Sequence, residues 1–126
     1  MLCLLVTTTL FAYTAPVSMP GAVTVDSKMA FDHFNKGTLF LDVRPEWMVE
    51  KQGKIKNAVH IYVRELTDEA LGKHAKKDTP IVVYCNGIGC SLTPEAIEKL
   101  INMGYTRLLY YRDGYPAWIH YKLPIE

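Results

Sequence analysis

Charge is missing from the start of this chain. Met1 to Val25 holds no Asp, Glu, Lys or Arg, and the first charged side chain is Asp26. Within that stretch MLCLLVTTTLFAYTA is an apolar run of signal-peptide length, followed by small residues and then Pro16 and Pro20. Two absences count against export: no Lys or Arg precedes the run, and the small-residue cleavage pattern is imperfect, Ala12 and Thr14 fitting better than Tyr13 and Ala15. The threonines and the short length count against an uncleaved membrane anchor. Residues 1–20 are therefore expected to be a signal peptide or N-terminal hydrophobic segment, and the protein periplasmic or secreted. The alternatives are a cytoplasmic protein, a membrane-anchored one if the segment stays uncleaved, or a β-prone segment packed on the domain. On the export reading Cys3 is removed, and only Cys85 and Cys90 remain of the 3 cysteines.

An excess of either charge is missing too. Fourteen basic residues face 13 acidic ones, scattered without blocks, for a net +1, which argues against nucleic acid as a partner and against a strongly electrostatic membrane function. No internal repeat or low-complexity segment occurs. Ligand spacing for a metal is absent as well: none of His33, His60, His74 and His120 pairs with Cys85 and Cys90 as a zinc site requires, so neither metal nor cofactor is expected. His60 reads as a structural histidine entering a strand, and His74, in a lysine-rich linker, as a solvated one. What is there is 49% hydrophobic composition in 126 residues, enough for one domain with a real core, expected over 21–126.

The stretch that organises this domain is Pro80 to Met103. Ile81, Val82, Val83 and Tyr84 form a short run of β-branched and aromatic residues, as in a strand buried on both faces. From Pro94 the apolar residues Ala96, Ile97, Leu100, Ile101 and Met103 fall at helical spacing, with Gly104 as the stop. Between them lies Cys85-Asn86-Gly87-Ile88-Gly89-Cys90-Ser91. A cysteine closing a strand, ahead of a helix N-terminus, meets loop amides and the positive end of the helix dipole. Both favour thiolate over thiol and make the sulfur a nucleophile near neutral pH. Gly87 and Gly89 let the backbone turn inward so that successive amides can point at one centre, which suits a negatively charged sulfur species. The plainer alternative is an ordinary strand-to-helix turn holding an inert, packed Cys.

Along the rest of the chain, Val23 to Val25 reads as a short strand, and Asp26 or Ser27 as the cap of a helix reaching Asn35, with Met29, Ala30, Phe31 and Phe34 inward. Thr38 to Val43 is a second buried strand. It runs into Asp42, Arg44 and Pro45, which puts polar side chains at its C-terminal end. Glu46 to Glu50 is a short helix, Ala58 to Tyr62 a third strand, Arg64 to Leu71 an amphipathic piece, Arg107 to Tyr111 another strand, and Gly114 to Tyr121 a turn and helix carrying Trp118. Strands alternating with helices imply an α/β fold with a central parallel sheet covered by helices on both faces.

Taken in order, LFLDVRPEWM at 39–48, GKIKNAVHI at 53–61, IVVYC at 81–85, the loop CNGIGCS, the Gly104-Tyr105 pair and DGYPAW at 113–118 resemble a single-domain rhodanese of the sulfurtransferase family over most of Val23 to Pro124. Each piece alone is weak, whereas their order and spacing are specific. The resemblance implies that Cys85 takes a sulfane sulfur from a donor, holds it as a persulfide and passes it to a thiophilic acceptor. It implies that the amides of Asn86, Gly87, Ile88, Gly89 and Cys90 form the cradle for substrate and persulfide, with Ser91 in support. Asp42 and Arg44 match the family's Asp-x-Arg; Arg44 stands among the substrate-binding candidates and Asp42 as its support, an ion pair bracing the active-site face being the favoured role. Trp118 matches the terminal Ala-Trp, with core packing as its role.

The partners implied are a small donor such as thiosulfate or a polysulfide, a thiol or cyanide acceptor, and an acceptor protein as a further option. Two departures shape the expectation. No basic residue lies between Cys85 and Ser91, where many thiosulfate-using rhodaneses carry one, so efficient use of thiosulfate is in doubt. Position 91 is Ser, so the Cys-x5-Arg loop of cysteine phosphatases is not completed. Cys90, five residues beyond Cys85, could attack a persulfide or sulfenate on Cys85 and close a disulfide, or be a small buried residue at the helix start. Two alternatives to sulfur transfer follow: a thiol-disulfide redox or sensor domain using Cys85 and Cys90, and a non-catalytic rhodanese-like binding module.

Overall fold

The computed structural model describes residues 3–5 and 12–126. Positions 1, 2 and 6–11, which carry much of the expected signal peptide, lie outside the described residues. Among those described, no helix is long and apolar enough to cross a membrane.

Five strands, β1 (Ala22–Thr24), β2 (Leu39–Asp42), β3 (Val59–His60), β4 (Ile81–Tyr84) and β5 (Leu108–Tyr111), make one parallel sheet in the order β1-β5-β4-β2-β3. The helices are α1 (Ser27–Asn35), α2 (Glu46–Gln52), α3 (Asp68–Gly72), α4 (Leu92–Asn102) and α5 (Gly114–His120). The expected α/β architecture holds. β4 sits in the middle, all four of its residues buried, as a continuous apolar run demands when helices cover both faces. Side-chain alternation sends Val83, Cys85 and Tyr110 into one core with Ala96, Ile97 and Leu100 of α4. Val82, Tyr84 and Tyr111 go into the other, with Ala30 of α1 and with Tyr115 and Trp118 of α5.

Element ends shift where local chemistry outweighs pattern. Asp26 caps α1, its carboxylate accepting from the Met29 amide at 2.8 Å. Met29, expected inward, is 43% exposed, because α1 turns Ala30, Phe31 and Phe34 to the sheet. β3 is only two residues long, being an edge strand that pairs with β2 alone. α4 starts two residues before Pro94, which occupies its first turn, where a missing N–H costs nothing. Trp118 is fully buried among Phe31, Phe34, Phe40 and Tyr111, and its indole N–H donates to the Pro124 carbonyl at 2.8 Å.

The docked chain begins before the Gly21 boundary read from composition. Ala15 and Met19 are buried, and Met19 joins the core on the α4 face. The Ala15 amide donates to the Ile88 carbonyl at 2.6 Å, the Tyr110 hydroxyl to Pro16 O at 2.9 Å and the Thr24 hydroxyl to Val17 O at 3.0 Å. Residues 15–17 thus form a strap across the loop that follows β4.

Candidate active site

The candidate site is the C-terminal edge of the sheet, where β4 gives way to the loop of Cys85 to Ser91. Cys85 is 2% exposed, and its carbonyl accepts the Tyr115 amide at 2.9 Å. That bond needs a close approach between the turn after β5 and the Cys85 backbone. Gly114 provides it: its φ is +63°, and a Cβ there would lie 2.5 Å from Cys85 O and 2.8 Å from Gly87 N. The loop folds back through Gly87, φ +99°, and the Cys90 amide closes it by donating to Gly87 O at 3.0 Å. Ile88, Gly89 and Ser91 are exposed, and Asn86, Gly87 and Cys90 half-buried.

The structure joins Cys85 to Cys90 in a disulfide, with Cα atoms 6.5 Å apart, inside the range such bonds require. Of the amides expected as a cradle, that of Cys90 is taken by Gly87 O, which removes it from the set. Those of Asn86, Gly87, Ile88 and Gly89 make no hydrogen bond among the described residues. Nor does the Ser91 side chain cap α4, so the positive end of that helix stays open beside the loop.

Asp42 and Arg44 lie below this loop. β2 pairs with β4 so that Asp42 is level with Tyr84, and the Val43 amide donates to Tyr84 O at 3.2 Å. Both side chains of the ion pair are fully buried, with Arg44 Nη2 2.6 Å from Asp42 Oδ2 and Nε 3.0 Å from Oδ1. Arg44 also donates to Gln52 Oε1 and Gly53 O, and its guanidinium lies 4.1 Å from the centre of the Tyr115 ring. The substrate-binding role considered for Arg44 is therefore corrected: the side chain has no exposed surface, and its donors serve Asp42, Gln52 and Gly53. It fixes Tyr115, which in turn holds the Cys85 carbonyl. The Tyr115 hydroxyl donates to Gln52 O at 2.7 Å and completes the brace. Burial, reinforced by the Asp42 carboxylate, holds the Tyr84 phenol far above its ordinary pKa; it stays neutral and accepts from the Ile55 amide at 3.0 Å.

The histidines stay apart from the cysteines. His60 Nε2 is 2.7 Å from Arg44 O, His33 Nδ1 is 3.1 Å from the Thr38 hydroxyl, and His74 is exposed. No cluster of three metal-ligating side chains occurs among the described residues.

Sequence reasoning missed four parts of this site. Gln52 and the strap at Ala15 carry no motif. Gly114 sits in a recognisable Asp-Gly-Tyr-Pro run, yet nothing in that run says which backbone it approaches. Arg112 lies just past the strand expected over Arg107 to Tyr111 and carries no motif; both its Nε and Nη2 donate to Ala15 O, at 3.1 and 2.9 Å.

Comparison with known proteins agrees with this picture. The family model for the rhodanese-like domain matches residues 20–121. No curated protein sequence gives a significant match. A crystal structure of a Bacillus halodurans protein superposes with a TM-score of 0.74 at 22% identity, covering 83% of this chain and 77% of that one. The solution structure of a rhodanese-like domain from Anabaena sp. gives 0.70 at 24% identity, covering 82% and 77%. A Rhodopseudomonas palustris protein of unknown function, described as a possible tyrosine phosphatase, gives 0.65 at 21% identity over 83% and 85%. At these identities the structures speak for the fold, and the family match over 20–121 carries the assignment: the chain belongs to the rhodanese-like domain family.

Proposed function

We propose that the protein is a sulfurtransferase or sulfur carrier that works through a persulfide on Cys85. The observation that carries the proposal is the position of Cys85 where β4 ends, followed by a loop whose Asn86, Gly87, Ile88 and Gly89 amides make no hydrogen bond among the described residues and by the uncapped start of α4. With the disulfide reduced, these dipoles favour the Cys85 thiolate. The thiolate attacks the outer sulfur of thiosulfate, a sulfur–sulfur bond to Cys85 forms as the bond to the sulfonate sulfur breaks, and sulfite leaves. The enzyme-bound persulfide then gives its outer sulfur to cyanide or to a thiolate and regenerates Cys85.

Cys90 offers a second exit. Its thiolate can attack Cys85 Sγ, expel the outer sulfur as hydrosulfide and close the disulfide that the structure contains. An external dithiol must reduce that bond before the next turnover. The partners are thus a small sulfane-sulfur donor and a thiol or cyanide acceptor, and an exported location, with any cleavage falling before Ala15, agrees with a disulfide at the site. The same bond favours a second reading, a dithiol–disulfide redox domain.

Intact mass separates the two. The reduced protein is treated with thiosulfate or polysulfide and then cyanide, beside Cys85→Ser and Cys90→Ser. Gain of one sulfur that cyanide removes, lost in Cys85→Ser and persisting in Cys90→Ser, is the expected result. Loss of two hydrogens only, with no added sulfur, refutes sulfur transfer and leaves redox chemistry.

A further inference from the structure

The reaction above has no cation in the loop to meet an anionic donor, since Cys85 to Ser91 holds neither Arg nor Lys. A cation, Arg112, follows the neighbouring strand β5. Tyr84 of β4 is in register with Tyr111 of β5, and Cys85 and Arg112 are the residues that directly follow these two adjacent strands. Cys85 and Tyr110 belong to the same core face, and Arg112, two residues beyond Tyr110, reaches the same strap that Tyr110 holds.

Arg112 is half-buried, and the ion pairs among the described residues leave it out: they join Lys28 to Asp32, Arg44 to Asp42, Lys54 to Glu126 and Lys77 to Asp68. Its Nε and Nη2 both converge on one oxygen, the Ala15 carbonyl, a fork that also fits a sulfonate or carboxylate oxygen. The amide of that same Ala15 is bonded to Ile88 O in the cysteine loop. A single residue of the strap therefore spans the gap between the fork and the loop. An anion taking its place would lie beside the Cys85 site.

We propose that Arg112 recognises the anionic group of the sulfur donor, and that the Ala15 carbonyl occupies its fork when no donor is bound. This deepens the sulfurtransferase reading and rests on it for the identity of the donor, but the anion preference belongs to the geometry alone. It assigns to a strand-end residue the task that a loop cation would otherwise perform.

The test compares an anionic with a neutral electrophile on the full chain, reduced and carrying Cys90→Ser so that no disulfide re-forms. Alkylation of Cys85 by iodoacetate and by iodoacetamide is followed by peptide mass. The iodoacetate-to-iodoacetamide rate ratio is expected to fall about tenfold in Arg112→Gln and to be largely kept in Arg112→Lys. Ala15→Pro, which removes the amide bonded to Ile88, should raise the iodoacetate rate by freeing the fork. An unchanged ratio in Arg112→Gln overturns the anion site, and an unchanged iodoacetate rate in Ala15→Pro overturns the competing role of the strap. Equal loss with both reagents would mark Arg112 as merely structural and also overturn the proposal. Sulfur loading from thiosulfate and from polysulfide is measured alongside: if the parent protein takes up no sulfur from either while the ratio still falls in Arg112→Gln, the anion site stands and the sulfurtransferase reading is what fails.

Discussion

Replacing Gly114 with Ala probes a place where the site depends on a missing side chain. Two costs add there. An L-residue at φ +63° loses about 1 kcal/mol relative to glycine. The new Cβ, placed 2.5 Å from Cys85 O and 2.8 Å from Gly87 N, meets backbone atoms that cannot rotate away, so the α5 start must shift and the Tyr115 N–H bond to Cys85 O, now 2.9 Å, lengthens or breaks. That bond contributes roughly 1 kcal/mol, and the expected loss is about 2–4 kcal/mol of folding stability. Two other glycines separate the terms. Gly37 has φ +76° with nothing within 4 Å, so Gly37→Ala should cost only the conformational part, about 1 kcal/mol. Gly89 has open space and no positive φ, so Gly89→Ala should stay within about 0.5 kcal/mol of wild type. Urea unfolding of the three variants under one fixed redox condition gives the comparison. A Gly114→Ala protein no less stable than Gly37→Ala would refute the steric account, and unchanged Cys85 alkylation in that variant would refute the claim that Gly114 shapes the loop.

The brace beneath the loop predicts a non-additive pair. Arg44→Met leaves Asp42 buried and unpaired and should cost about 3–5 kcal/mol, whereas Asp42→Leu with Arg44→Met should recover much of that; additive losses in urea midpoints would contradict it. Burial is the main force lifting the Tyr111 phenol, to about 12, against the Ser27 hydroxyl 2.7 Å away. The unfolded chain releases this proton near pH 10 and the folded one only near pH 12, so the fold holds more protons in that window and stability must fall as pH rises through it. The loss from this group is on the order of 2 kcal/mol, and Tyr111→Phe should flatten that part of the stability curve; a variant curve parallel to wild type would reject it.

The strands and the cysteine loop were legible because their signals are local. Ile81 to Tyr84 is apolar at every position, which happens only when both faces are covered, and Asp26 followed by helical spacing marks the start of α1. Arg44 shows the limit. A charged residue after a strand reads as a brace or as a ligand for substrate, and burial by Gln52, Gly53 and Tyr115 decides for the brace. The strap was illegible for a related reason: its grip on Ile88, Tyr110 and Arg112 runs through the backbone oxygens and amide of Ala15 and Pro16, which any sequence would supply. Uncharged composition suggested a segment to be removed; in the structure residues 15–17 contact Thr24, Ile88, Tyr110 and Arg112 at the sheet edge.

The two ends of the cysteine loop are held very differently, and the proposed reaction would use that difference. The Cys85 end follows the central strand and is fixed by Tyr115, which is fixed by the Arg44 brace. The outer half, from Asn86 to Cys90, is tied by the disulfide, by the turn bond from Cys90 N–H to Gly87 O, and by the Ala15 amide on Ile88 O. Reduction removes the first of these ties. The nucleophile should then keep its place while the amides around it gain the freedom to admit a donor. Hydrogen exchange of the reduced and oxidised protein gives the measurement: faster exchange is expected on reduction at Cys90, the hydrogen-bonded amide of the loop, with Val82 to Tyr84 and the Tyr115 amide unchanged. Equal acceleration at Tyr115 would mean that the disulfide, and not the brace, positions Cys85, and the division between a fixed sulfur and an opening loop would be wrong.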